Sequence, residues 1–162
     1  MRRVVAVLLV ALSSLPFTSA PVVAQGATPE INTLIPVGQI AIPRLKVKAT
    51  IYKGVTDVQF DRGVGFWPGT ALPGTTGNVV IGGHRTAAKR PFYNIEKMKT
   101  GDLISVSRPG RSFTYKVTKV FIVRPTDVWI VEPTSSATLT LFTCHPRGST
   151  SKRYVVRATL VK

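Results

Sequence analysis

From Gly38 onward, apolar and polar residues alternate in short runs broken by turn residues. That is the pattern of half-buried strands rather than helices. Residues 39–42 and 49–52 flank Pro43-Arg44, which opens a turn. Residues 78–81 form a compact strand ending on Gly82-Gly83. Residues 103–106 and 113–123 are joined by Pro109-Gly110, and 138–143 and 154–161 are two further strands. Trp67-Pro68-Gly69 and Leu72-Pro73-Gly74 read as turns. Two stretches have helical character: 57–65, and 91–98, where Phe92, Ile95 and Met98 share a face. Residues 125–131 read as a loop with one helical turn. The pattern predicts an all-β domain of about eight evenly spaced strands, a closed or nearly closed barrel with one or two short helices.

The N-terminal segment breaks this pattern. Arg2 and Arg3 precede a stretch without charge, and 4–12 is a dense apolar run. This is the layout of an export signal. Two outcomes fit residues 1–24. A signal peptide is cut after Ala24, where Val22-x-Ala24 has the small-residue pattern. Alternatively, residues 4–24 remain as an uncleaved membrane anchor, being close to the roughly 20 residues a spanning helix needs. Pro16 and Pro21 weigh against the anchor. Either way, the remainder works outside the cytoplasm. Residues 25–37 mix Gly, Thr, Pro and Asn and read as a linker, leaving 38–162 as one domain.

Composition adds a partner class. The chain of 162 residues has 22 Lys+Arg against 7 Asp+Glu, a net charge of +15. Such a field attracts polyanions: nucleic acid, anionic lipid or an acidic wall polymer. The basic residues are scattered and no nucleic-acid-binding signature accompanies them, so nucleic acid is not expected. The acids are too dispersed for a dense carboxylate loop, so neither metal nor other cofactor is expected.

One cysteine changes the picture more. A lone Cys in an exported chain forms no internal disulfide, so Cys144 is free, intermolecular or reactive. It ends a strand and precedes His145-Pro146-Arg147-Gly148, where a side chain can be presented on a rigid support. A thiol attacks as its thiolate and needs an imidazole or cation nearby. The chain has two histidines. Adjacent side chains on a strand point to opposite faces, so His84, at the end of another strand, suits Cys144 better than His145 does. Arg153 opens the last strand, and a hairpin from Cys144 returns it to the same rim, where a guanidinium can stabilise an oxyanion. Arg85, Arg147 and Arg157 are rivals; Arg157 keeps the same facing but lies about 13 Å further along.

Thr140-Leu141-Phe142-Thr143-Cys144 resembles the TLxTC motif of sortases, and Gly83-His84 and Arg153 resemble that family's histidine and arginine positions. Cys144-His145-Pro146 and Pro125-Thr126-Asp127-Val128-Trp129 are most similar to class E sortases. Phe92-Tyr93-Asn94 with Lys99-Thr100-Gly101-Asp102 resembles the family's F-x-N and K-x-G-D segment. Phe142 departs from the Thr often found there. The resemblance covers about residues 38–161 and implies an eight-stranded sortase-type barrel. It also implies a cysteine transpeptidase with His84, Cys144 and Arg153 as catalytic residues. Such an enzyme cleaves a C-terminal Leu-Pro-x-Thr-Gly or Leu-Ala-x-Thr-Gly sorting signal after Thr through a thioester. It then transfers the protein to an amine of peptidoglycan, its lipid-linked precursor, or a pilin lysine. Residues 125–131 are expected to border the substrate, with contacts from Thr143, Trp129 and His145, although Trp129 also reads as core. The expected partners are secreted proteins bearing the signal, at a Gram-positive cell surface, with a monomeric enzyme. A Ser-His-Gly-Cys wall transpeptidase and a papain-like peptidase both fit worse, by motif and by residue order. A non-catalytic wall- or lipid-binding barrel remains the alternative.

Overall fold

The computed structural model describes residues 34–161. The expected targeting segment, 1–24, and residues 25–33 of the expected linker lie outside the described residues. Eight strands follow in order: β1 (Pro36–Ile42), β2 (Val47–Lys53), β3 (Val64–Phe66), β4 (Gly77–Gly83), β5 (Leu103–Arg108), β6 (Arg111–Val123), β7 (Ala137–His145) and β8 (Lys152–Leu160). They close into a barrel in the order β1-β2-β3-β4-β7-β8-β6-β5. The seam is the antiparallel pairing of β1 with β5 around Ile40↔Val106. Closure removes the free edges that an open sheet would expose.

The strand alternation puts one face of each strand inside. Ile40, Ile42, Ile51, Val79, Ile81, Ile104, Val106, Tyr115, Leu139, Leu141, Val156 and Ala158 fill the interior. β4 and β7 pair in parallel, as β2 and β3 do; β4 is buried from Asn78 to Gly83 and β7 at Thr138–Leu141 and Thr143. Burial on both faces is the usual condition of parallel strands. A second, smaller cluster of Val123, Ile130 and Val155, with Phe121, Val131 and Phe142 packed against it, lies apart from this core, and Asn78 of β4 is bonded to the backbone of Ile130.

The sequence misjudged three boundaries. Only Asp57–Phe60 (α1) of the helix expected over 57–65 forms, opened by a Thr56–Gln59 capping box. Beyond it, Val64–Phe66 is claimed by β2 on one side and β4 on the other. Gly63 and Gly65 weaken the competing helix. The helix expected over 91–98 is a single 3-10 turn, Ile95–Lys97. Phe92, Ile95 and Met98 are all buried, but their i, i+3 spacing suits a 3-10 turn as well as an α-helix. β1 begins at Pro36, inside the expected linker, because Pro36 already pairs with Tyr52. Two other 3-10 turns, Pro43–Leu45 and Val128–Val131, complete the elements.

Candidate active site

The ladder fixes where Cys144 sits. β7 and β8 pair so that Cys144 lies opposite Arg153. Residues directly opposite in an antiparallel pair share a face, with Cβ atoms about 4.5–5.5 Å apart. β4 lies parallel to β7, in the register Gly82↔Phe142. His84 follows directly on the end of β4, and the Thr143 hydroxyl's bond to the Gly83 carbonyl sets the residue before it beside the residue before Cys144. The side chains come from the ends of three neighbouring strands and open on one cleft of about 560 Å³. His84, Cys144 and Arg153 all line it, together with an apolar wall of Phe60, Trp67, Phe142, Val128, Ile130 and Val131.

Local packing explains the glycines before His84. A Cβ on Gly82 would collide with the Phe142 ring and come within 2.8 Å of Phe60 Cζ. Removing it lets both aromatic rings lie on the strand end. Phe60 then meets His84 edge-on at 5.5 Å, and Trp67 meets Phe142 at 5.8 Å. Thr143 is 1% exposed, and its hydroxyl donates to the Gly83 carbonyl at 2.7 Å. That bond clamps the residue before Cys144 to the residue before His84.

His84 Nε2 lies 3.1 Å from Asp61 Oδ1 and 3.7 Å from Asp57 Oδ1, both carboxylates being well exposed. Among the described residues no hydrogen bond joins His84 to the Cys144 thiol. Arg153, unlike His84, has no side-chain partner among the described residues. Its guanidinium donates to the backbone carbonyls of Thr150 and Lys152, at 2.8 and 3.0 Å. Those bonds hold it to the loop between β7 and β8, on the cleft side.

The Arg85 side of Cys144, which also borders the cleft, is built differently. Arg85 has a side chain only 4% exposed. It donates to Cys144 O at 3.4 Å, to His145 Nδ1 at 2.7 Å and to Glu96 Oε2 at 2.8 Å, and its guanidinium lies 5.9 Å from the Tyr154 ring centroid. An arginine only donates, so Nδ1 of His145 is the unprotonated nitrogen. Burial, then the charges of Arg85 and Lys152, pull the His145 pKa below its ordinary value, against the opposing charge of Glu96. Glu96 also accepts from Arg147, which reaches Tyr93 O and Asn94 Oδ1 at 3.2 Å each. Burial raises the Glu96 carboxyl, but hydrogen bonds from its own backbone and Arg85, with the charges of Arg147 and Arg85, outweigh it and hold the pKa low.

The expected substrate contacts fare unevenly. Thr143 borders the cleft, but its hydroxyl is spent on Gly83. His145 does not line the cleft; it lies under Arg85 and against Tyr154 at 5.6 Å. Trp129 is neither core nor cleft wall. It is 43% exposed, stacks on Phe121 at 5.6 Å and faces Arg157 at 5.5 Å. The short turn at 128–131 directs Ile130 inward and leaves Trp129 outside. A buried polar set anchors that turn: Asn78 donates to Ile130 O and Glu132 O and accepts from Thr140. Arg157 joins this set through Thr140 and Ile130 O, away from Cys144. Arg85, Glu96 and Asp61 were missed as site residues; Arg85 was weighed only as a rival to Arg153. The one hint was scarcity, since with seven acids for 22 cations a buried acid is already partnered.

Among the described residues, no three His, Cys, Asp or Glu side chains converge in a metal-binding arrangement. No helix among them is long and apolar enough to cross a membrane.

Comparison with known proteins agrees with this geometry. The Sortase domain family profile matches residues 40–161. Sortase A of Listeria monocytogenes is 29% identical over 127 residues, covering 78% of this chain and 57% of the relative. Sortase SrtE1 of Streptomyces coelicolor is 30% identical over 137 residues, covering 75% and 39%. Neither likeness separates one sortase class from another. The solved structure of Sortase A from Corynebacterium diphtheriae superposes with a TM-score of 0.75 at 33% identity, covering 80% of this chain and 62% of that one. The chain thus spans a little over half the length of the first curated relatives it matches. With the profile running through nearly the whole barrel, the chain belongs to the sortase family.

Proposed function

We propose that the chain is a cysteine transpeptidase in which Cys144 is the nucleophile, His84 the general acid and base, and Arg153 the oxyanion partner. The reading rests on one observation above the others: Cys144 and Arg153 face each other in register at the strand ends that also carry His84. The Cys144 thiolate attacks the carbonyl carbon of the scissile Thr–Gly bond. The carbonyl oxygen becomes an oxyanion, which the Arg153 guanidinium stabilises. The C–N bond breaks, His84 protonates the leaving glycine amine, and a thioester remains on Cys144. A second amine attacks the thioester while His84 takes its proton, and the thiolate leaves. The apolar wall suits the Leu and Pro or Ala side chains of a sorting signal, and Arg124 and Arg153 supply positive charge beside it.

The signal is Leu-Pro-x-Thr-Gly or Leu-Ala-x-Thr-Gly on secreted proteins. The acceptor is a peptidoglycan-type amine or a pilin lysine, and the enzyme works at the cell surface behind its N-terminal segment; the Cys144-His145-Pro146 sequence supports a class E type. Cleavage of the two peptides by the native protein and by Cys144→Ala tests this. Native cleavage with loss of all measurable turnover in Cys144→Ala supports it. Equal rates would sink it.

A further inference from the structure

On another side of the barrel, a second concavity of about 570 Å³ shares no lining residue with the cleft. Lys46, Lys48, Arg62, Lys89 and Arg90 line it, and no acid does. The cleft, by contrast, mixes its cations with Asp57 and Asp127. Among the described residues none of the five groove cations forms an ion pair. Five of the six acids there are committed elsewhere: Asp57 and Asp61 to His84, Glu96 to Arg85 and Arg147, Asp102 to Arg44, and Asp127 to Arg124. Like charges gathered without counter-charge weaken the fold by self-repulsion. The uncompensated set is therefore a cost that an anionic ligand removes.

The backbone makes the same point independently. The described residues contain three non-glycine positions with positive φ: Lys46 at 55°, Ala88 at 44° and Arg90 at 36°. Two are groove cations, and the third precedes Lys89. Backbone strain of this kind costs about 1–3 kcal/mol per residue and gathers at ligand clamps.

We propose that this groove binds a soluble phosphodiester-linked polyanion, an acidic polyol-phosphate chain of the kind found in cell walls. The recess receives a single chain and carries several cations along it, whereas a bilayer presents head groups to a flat or convex patch. Of the two aromatic side chains in the groove, Tyr93 already has the Arg90 and Arg147 guanidiniums 5.0 and 4.3 Å from its ring, which leaves Tyr52 alone for base stacking. That disfavours nucleic acid, whose single strands bind through free aromatic faces. The proposal does not depend on the chemistry assigned to Cys144.

Titration of the full chain with a glycerol-phosphate oligomer tests it, with phosphatidylglycerol vesicles and a single-stranded oligonucleotide as parallel arms. Lys46→Gln with Lys89→Gln lowers oligomer affinity roughly tenfold or more and flattens its salt dependence. Lys116→Gln with Lys119→Gln, the same charge change on β6, lowers it less than about twofold, because only the general field is reduced. Both pairs leave peptide cleavage unchanged. Equal losses in the two pairs, absence of oligomer binding, or tighter binding to vesicles or oligonucleotide than to the oligomer each overturns the proposal.

Discussion

The two flanks of Cys144 follow opposite rules. On the inner flank Arg85 is buried and its charge is shared among Glu96, His145 and a backbone carbonyl. On the cleft flank His84 and Arg153 are held by exposed carboxylates and loop carbonyls alone. A buried ion set with most of its bonds made, here all but that of Arg85 Nε, is rigid and expensive to break. Lightly tethered groups remain free to take up a substrate's charge. The inner flank is built as scaffold and the cleft flank is left free for the proposed chemistry, with the thiol on the boundary.

Substitution on each flank tests that division. Arg85→Ala should have the largest effect on stability, about 1–3 kcal/mol, because it leaves Glu96 with Arg147 alone and removes the donor to His145 and the Cys144 carbonyl. Chemical denaturation reads it, and a loss under 1 kcal/mol would contradict the scaffold role. Arg153→Ala should do the reverse, lowering kcat about 10²–10³-fold as the loss of one oxyanion donor does. Its melting temperature should hardly move, and a large fall in melting temperature would make Arg153 scaffold too.

Acid should attack the inner flank. His145 has a folded pKa below its ordinary value of 6.5, so the native state holds its neutral form. The stability tied to that form is complete above pH 6.5 and fades as pH falls below it toward the folded pKa. Glu96, also lowered, contributes above its ordinary 4.5 and loses that contribution as pH falls through its folded pKa. Unfolding free energy should therefore decline in two stages on acidification, since the unfolded chain binds more protons in both windows. In His145→Gln the first stage should vanish. An unchanged profile would place the titration elsewhere. The smallest effect belongs to Asp61→Asn, whose exposed pairing with His84 is worth about 0.2–1 kcal/mol. Cleavage should fall only a few-fold, and a hundredfold loss would give Asp61 a larger part than its exposure allows.

Strand alternation, the turn residues and the single cysteine were legible because they follow period and residue type. β3 was not, because three residues carry no period and their strand state comes from neighbours on both sides. His84 and Arg153 could be set beside Cys144 because strand-end positions need only a topology. Arg85 and Glu96 could not be joined, since nothing in an 11-residue separation says that the chain folds back under Cys144. Trp129 was misread for a related reason: its burial depended on which way a four-residue turn rotates. The acids were few enough to count but not to pair.

The parallel contact of β4 with β7 also has a kinetic consequence. Gly83 and Thr143 are 60 residues apart in the chain and are bonded side by side in the fold. Contacts of that span form slowly, after local hairpins such as β5–β6 and β7–β8. In a chain exported as proposed, the Cys144–Arg153 hairpin can therefore fold while His84 is still distant. On the roles proposed above, the thiol meets its histidine only when the barrel closes, and until then the nucleophile lacks its proton partner.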